Sequence, residues 1–168
     1  DIVTKHMDFV RKYVNVKLLK ASRLKVLVDS MHGTGDDYIA TILKGGKCKI
    51  DTIHNEANPS FCGINPEPIL PNLNELARKT KAGKYDIGLA TDGDADRLGV
   101  ALPNGKLLTG HKVMTLIFLH LLEDRKMKGS VVQTICGTFL IEKICKKYGL
   151  KMHETPVGFK YICDLMLK

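Results

Sequence analysis

Seven residues near the middle of the chain hold its densest chemistry: Thr91-Asp92-Gly93-Asp94-Ala95-Asp96-Arg97. Three carboxylates alternate with two small residues, directly after the apolar run Tyr85–Ala90. Gly93 and Ala95 let the backbone curl, so a turn here draws the three side chains together. Crowded carboxylates repel one another unless a cation neutralises them. Hard divalent cations take oxygen ligands, and Mg²⁺ suits a site that handles phosphate. Asp92, Asp94 and Asp96 are therefore the candidate metal ligands. Arg97 shares the turn, and a guanidinium beside a metal can grip phosphoryl oxygens as their charge shifts, which makes Arg97 the candidate catalytic residue. A calcium EF-hand loop also begins with alternating aspartates, but it needs Gly at its sixth position and Glu at its twelfth. Counted from Asp92, those positions hold Arg97 and Pro103, which excludes that reading. A solvated acidic turn that only caps a sheet is the bland alternative. Its position at the carboxyl end of an apolar strand weighs against it, because ligand sites of open α/β sheets gather there.

The elements that must position this turn alternate between strand and helix. Val3, Met7, Val10, Val14 and Leu18 recur at helical spacing and predict one helix over Val3–Leu19. Lys25–Val28 reads as a buried strand, followed by the tight loop Met31–Gly35 and a helix from Asp36-Asp37 to Lys44. Cys48–Ile53 is a second strand, and the proline-rich stretch Asn55–Pro71 is a long loop of the kind that often carries function. Asn72–Thr80 is a helix, Tyr85–Ala90 a third strand, Leu98–Leu102 a fourth, and Pro103–Lys106 a turn. The pattern then restarts. Gly110–Lys126 is a helix, Val131–Ile135 a strand, Thr138–Tyr148 a helix and Leu150–His153 a strand. Thr155–Lys160 is a loop before a last helix, Tyr161–Lys168. Such alternation predicts an α/β fold of two units, with mixed or mostly parallel sheets flanked by helices. The expected domains are residues 1–103, which contain the acidic turn, and residues 104–168.

In this order the motifs resemble the α-D-phosphohexomutases, the family of phosphoglucomutase and phosphomannomutase. Thr91–Arg97 is similar to the family's metal loop. Val28-Asp29-Ser30-Met31-His32-Gly33-Thr34-Gly35 resembles the loop that opens its second domain, and Asn65-Pro66-Glu67-Pro68 its proline-rich segment. Glu154–Lys160 is similar to a substrate loop of its third domain. The resemblance implies that this chain is the second domain and most of the third of a four-domain enzyme. That enzyme interconverts hexose 1-phosphate and hexose 6-phosphate through a phosphoserine and a bisphosphate intermediate. It further implies that Asp92, Asp94 and Asp96 bind Mg²⁺, that Arg97 meets the reactive phosphate, and that Gly158, Phe159 and Lys160 border the sugar phosphate. The implied ligands are glucose or mannose 1- or 6-phosphate and hexose 1,6-bisphosphate, and the implied partners are domains I and IV of the same polypeptide. The family's phosphoserine stands in a Ser-His-Asn-Pro context, and Ser22, Ser30, Ser60 and Ser130 all lack it. The threonine pair usual around Cys136-Gly137-Thr138 is altered as well. This stretch of chain alone is accordingly expected to be inactive.

Composition narrows the remaining classes. The 168 residues are 44% hydrophobic and 26% charged, which is ordinary for a soluble globular protein. The net charge of +8 fits an anionic ligand, but the Lys and Arg are dispersed and form no basic arm. Without Trp and with 6% aromatic residues, stacking platforms for nucleic acid are not expected. The longest apolar run, Val113–Leu122, is short of the ~20 residues a membrane span needs. Five cysteines without C-x-x-C spacing read as reduced thiols in a cytoplasmic protein. The Met31–Gly35 loop lacks the standard phosphate-loop patterns, so Gly33 and Gly35 are read as close-packing turn residues. His54 and His111 are expected at the surface, and His120 and His153 as structural groups on regular elements. The competing class is a noncatalytic Mg²⁺- or phosphosugar-binding regulatory module. The two separate on whether the reading frame before Asp1 encodes a Ser-His-Asn-Pro loop.

Overall fold

The structure, a computed structural model, describes residues 1–167. Its backbone contacts divide into two units, Asp1–Leu108 and Thr109–Lys168.

The first unit opens with two helices where one was expected. Helix α1 spans Ile2–Tyr13 and is capped by the Asp1 carboxylate, which accepts the Val3 N–H. Val14 is extended, and the Asn15 side chain accepts the Leu18 N–H at 3.0 Å to start α2, Val16–Ala21. An asparagine that can satisfy an orphan N–H competes with continuing the helix, and here it wins. Strand β1 (Lys25–Asp29) is almost wholly buried, as its apolar run dictates. Helix α3 (Tyr38–Leu43) leads to β2 (Lys49–Ile53), and a single 3-10 turn at Phe61–Gly63 interrupts the long loop that follows. Helix α4 (Asn74–Ala82), strand β3 (Ile87–Thr91) and strand β4 (Leu98–Ala101) come next.

A short strand that the sequence did not announce, β5 (Leu107–Leu108), pairs antiparallel with β4. It carries the first unit past residue 103. The sheet order is β2-β1-β3-β4-β5. β1 lies parallel to both β2 and β3, and the β3–β4 pair is antiparallel, so the sheet is mixed. Leu27, Met31, Leu73, Leu76, Ala90 and Ala101 form the buried cluster between α4 and the sheet.

The register fixes where the loops emerge. Asp29 pairs with Ile53 of β2 and with Ala90 of β3. Three parallel strands therefore end side by side, and the segments that follow them, His54 onward, Ser30 onward and Asp92 onward, leave the same edge of the sheet.

The second unit contains α5 (Gly110–Glu123), β6 (Val131–Thr134), α6 (Phe139–Tyr148), β7 (Met152–Thr155) and α7 (Phe159–Met166). Thr109 and Thr138 cap α5 and α6 with side-chain oxygens, and Gly149 ends α6 in the left-handed conformation. β6 and β7 form a two-stranded parallel sheet. Helix α7 starts two residues earlier than the sequence predicts, so Phe159 and Lys160 lie in its first turn and not in a loop. The last residue of the expected helix, Lys168, lies outside the described residues. No helix among the described residues is long and apolar enough to cross a membrane.

Candidate metal centre

β3 delivers Thr91 at its end, and the chain turns sharply through Asp92–Asp96 before β4 returns it. Ala95 takes a left-handed φ of 62° to make that turn, and its N–H donates to the Asp92 carbonyl at 3.1 Å. Asp92, Asp94 and Asp96 each offer an oxygen, and these oxygens lie within 4.8 Å of one another. The expected convergence of the three carboxylates is therefore present. Their surroundings differ. Asp92 is buried, whereas Asp94 and Asp96 face solvent.

Arg97 is built into the same turn. Its backbone N–H donates to Asp92 Oδ1 at 2.9 Å and its Nε to Oδ2 at 2.7 Å. Its Nη1 donates to Glu67 Oε1 at 2.8 Å. Burial opposes ionisation of Asp92, yet the Arg97 N–H and guanidinium together hold its carboxyl below the usual range. The neighbouring Asp94 charge pushes the Asp96 carboxyl above the usual range. Asp92 and Glu67 push the Arg97 guanidinium up further still. The turn thus holds one neutralised carboxylate and two that repel one another, an arrangement suited to a hard cation with oxygen ligands.

Two other loops lock the turn in place. The Gly93 N–H donates to the Pro66 carbonyl at 3.1 Å, and the Thr34 N–H donates to the Gly93 carbonyl at 2.9 Å. A Cβ at Gly33 would stand 2.5 Å from the Gly93 oxygen, so only glycine permits this backbone contact. A Cβ at Gly93 would press on the Phe61 ring at 3.1 Å and on Pro66 Cγ at 3.3 Å. The Met31–Gly35 loop and the Asn65–Pro68 segment, recognised in the sequence as separate motifs, both pack against the acidic turn. A cavity of about 330 Å³, lined by His32, Thr34, Asn58, Phe61 and Gly93 among others, opens beside it.

The pairing of Glu67 with Arg97 leaves no sequence signal, since the two are far apart along the chain and nothing local links them. His54 departs from the surface position expected from its sequence context. It is half-buried, not at the surface, because its Nδ1 is 3.0 Å from the Oδ1 of buried Asp29. His111 is exposed as expected, and its Nε2 lies 3.1 Å from the Cys136 carbonyl. His120 sits on α5 but is exposed and pairs with Asp124 at 2.7 Å, while His153 on β7 is half-buried. Gly158, Phe159 and Lys160 lie in the second unit. Gly158 caps α7 with a φ of 134°, Phe159 is exposed, and the Lys160 Nζ lies 4.9 Å from the centroid of the Tyr161 ring.

Residues 4–105 match the family model for phosphoglucomutase/phosphomannomutase, alpha/beta/alpha domain II, and residues 109–168 match the model for domain III. A phosphoglucomutase/phosphomannomutase of Thermococcus kodakarensis is 30% identical over the whole chain, and a phosphoglucosamine/phosphogalactosamine mutase of Sulfurisphaera tokodaii is 28% identical over 94% of it. The chain spans 37% and 35% of the lengths of these two relatives. Among solved structures, a Thermus thermophilus protein described as a phosphomannomutase superposes with a TM-score of 0.91 at 30% identity. That match covers 99% of this chain and 39% of the other.

Proposed function

The chain belongs to the phosphoglucomutase/phosphomannomutase family, with its domains II and III, and from that premise we propose that it supplies the metal centre of a hexose phosphate mutase. The full polypeptide would interconvert hexose 1-phosphate and hexose 6-phosphate through a phosphoserine in domain I and a hexose 1,6-bisphosphate. The observation that carries this reading is the gathering of the Asp92, Asp94 and Asp96 oxygens within 4.8 Å beside a fixed arginine.

The donor set fits Mg²⁺: three carboxylate oxygens, with two of the groups in mutual repulsion that a dication would relieve. Bound there, the ion would offset charge on the transferring phosphoryl oxygens. Asp92 anchors the set, because its burial and its two bonds from Arg97 leave its carboxylate little freedom. Asp94 and Asp96 supply the exposed charge. Arg97, braced between Asp92 and Glu67, is poised to contact a phosphate without first being ordered. Gly158, Phe159 and Lys160 would border the sugar phosphate, with the Lys160 ammonium offering charge to it. The five unpaired cysteines fit a reducing compartment such as the cytoplasm.

The test is Asp94→Asn in the full-length parent, assayed with glucose 1-phosphate and mannose 1-phosphate side by side. Loss of most turnover on the preferred sugar is expected. Near-normal turnover in that coupled assay overturns the reading.

A further inference from the structure

Outside the acidic turn, a deeply buried carboxylate, Asp29, is paired with a half-buried histidine, His54. Asp29 ends β1 and is 1% exposed. A carboxylate so deeply buried needs hydrogen-bond donors. Its Oδ1 accepts the Met31 N–H at 2.9 Å and pairs with His54 Nδ1 at 3.0 Å. On its far side, His54 Nε2 lies 3.5 Å from Glu75 Oε2. The His54 carbonyl also accepts the His32 N–H at 2.7 Å, and the two imidazole rings lie 4.9 Å apart. Met31, His32 and His54 all take positive φ, at 46°, 57° and 50°. Side chains other than glycine visit that region rarely, so the surroundings must hold these residues there.

The loop held in this way runs directly into the acidic turn. Two residues after His32, the Thr34 N–H donates to the Gly93 carbonyl, and Gly33 packs on Gly93 with no room for a side chain. Gly93 stands between Asp92 and Asp94. We propose that His54 is a positioning residue for the acidic turn: its ring, tied to Asp29, fixes residues 31–34, and their contact with Gly93 sets the placement of Asp92 and Asp94. This rests on the turn being a metal centre. A histidine that only satisfies a buried carboxylate would support the whole unit evenly and would not single out the turn.

Amide exchange measured by NMR on the 168-residue protein separates the two roles. His54→Gly removes the ring and accepts the positive φ, and His54→Asn retains a side-chain donor and tolerates the left-handed region. In His54→Gly the Thr34 and Gly93 amides are expected to exchange about tenfold faster relative to Leu89 in β3, and His54→Asn to recover most of that protection. A Mn²⁺ titration followed by electron paramagnetic resonance should show a Kd raised about tenfold in His54→Gly and regained in His54→Asn. Unchanged exchange at Thr34 and Gly93 overturns the proposal. So does acceleration of Leu89 in step with them, or a His54→Gly protein that does not fold, since either marks a global role. If the 168-residue protein takes up no Mn²⁺, the metal reading is decided by the full-length Asp94→Asn assay, and the exchange comparison still decides on His54.

Discussion

Arg97 closes on both carboxylate oxygens of Asp92, with its backbone N–H on one and its guanidinium on the other. The contact divides the three aspartates into one fixed anchor and two exposed charges.

Asp92→Asn should destabilise the first unit by about 1–3 kcal/mol, because the amide cannot accept both Arg97 donors and its NH₂ is buried. Asp94→Asn should leave stability unchanged or raise it slightly, since it removes the charge that opposes Asp96. Both variants should weaken Mn²⁺ binding. Urea unfolding read at β3 resonances distinguishes them, and equal destabilisation by the two would contradict the anchor role.

The two shifted carboxyls give opposite pH signatures. Asp92 titrates below its ordinary 3.8, so its contribution to stability is complete above that value and is lost as pH falls through the lower folded midpoint. Asp96 titrates above 3.8 because of Asp94, so its ionised form opposes folding once pH exceeds that raised midpoint, and acidification relieves the strain. Side-chain ¹³C NMR titration should order the midpoints Asp92 below Asp96. On acidification, cation affinity should begin to fall at a higher pH than an Asp96 carboxyl with the ordinary midpoint of 3.8 would give.

Gly33→Ala should cost about 1–3 kcal/mol and loosen the acidic turn, since its Cβ would meet immovable backbone at Gly93. Gly110→Ala is the control, because nothing lies within 4 Å of a Cβ there. Thermal unfolding of the two variants provides the check, and comparable melting temperatures would show that the loop contact is dispensable.

Cys62 and Cys136 are exposed, whereas Cys145 is buried and its thiol is pushed up by that burial. A thiol reagent at neutral pH should label the first two quickly and Cys145 slower by on the order of a hundredfold or more, as only local opening admits the reagent. Denaturant should abolish the difference.

The acidic turn could be read from the sequence because its chemistry is local: three carboxylates, two small residues and an apolar strand before them. The α/β alternation was equally plain, since buried parallel strands such as Lys25–Asp29 are continuous apolar runs. The break at Asn15 was hidden by a helical periodicity that continues across it, although an asparagine before Val16 is itself a helix-start signal. The brace from Glu67 to Arg97 and the clasp of Asp29 on His54 depend on strand register, which no single segment encodes. Leu107–Leu108 is too short to show any period of its own and exists as a strand only through β4.

The pairing of β6 with β7 bears on how this protein must be handled. Neither strand has a second strand neighbour among the described residues, and a sheet edge of this kind is where a further strand can add. With Ile135, Phe139 and Val157 exposed close by in sequence, the ribbon joins a strand edge to apolar side chains, a combination that favours self-association as concentration rises.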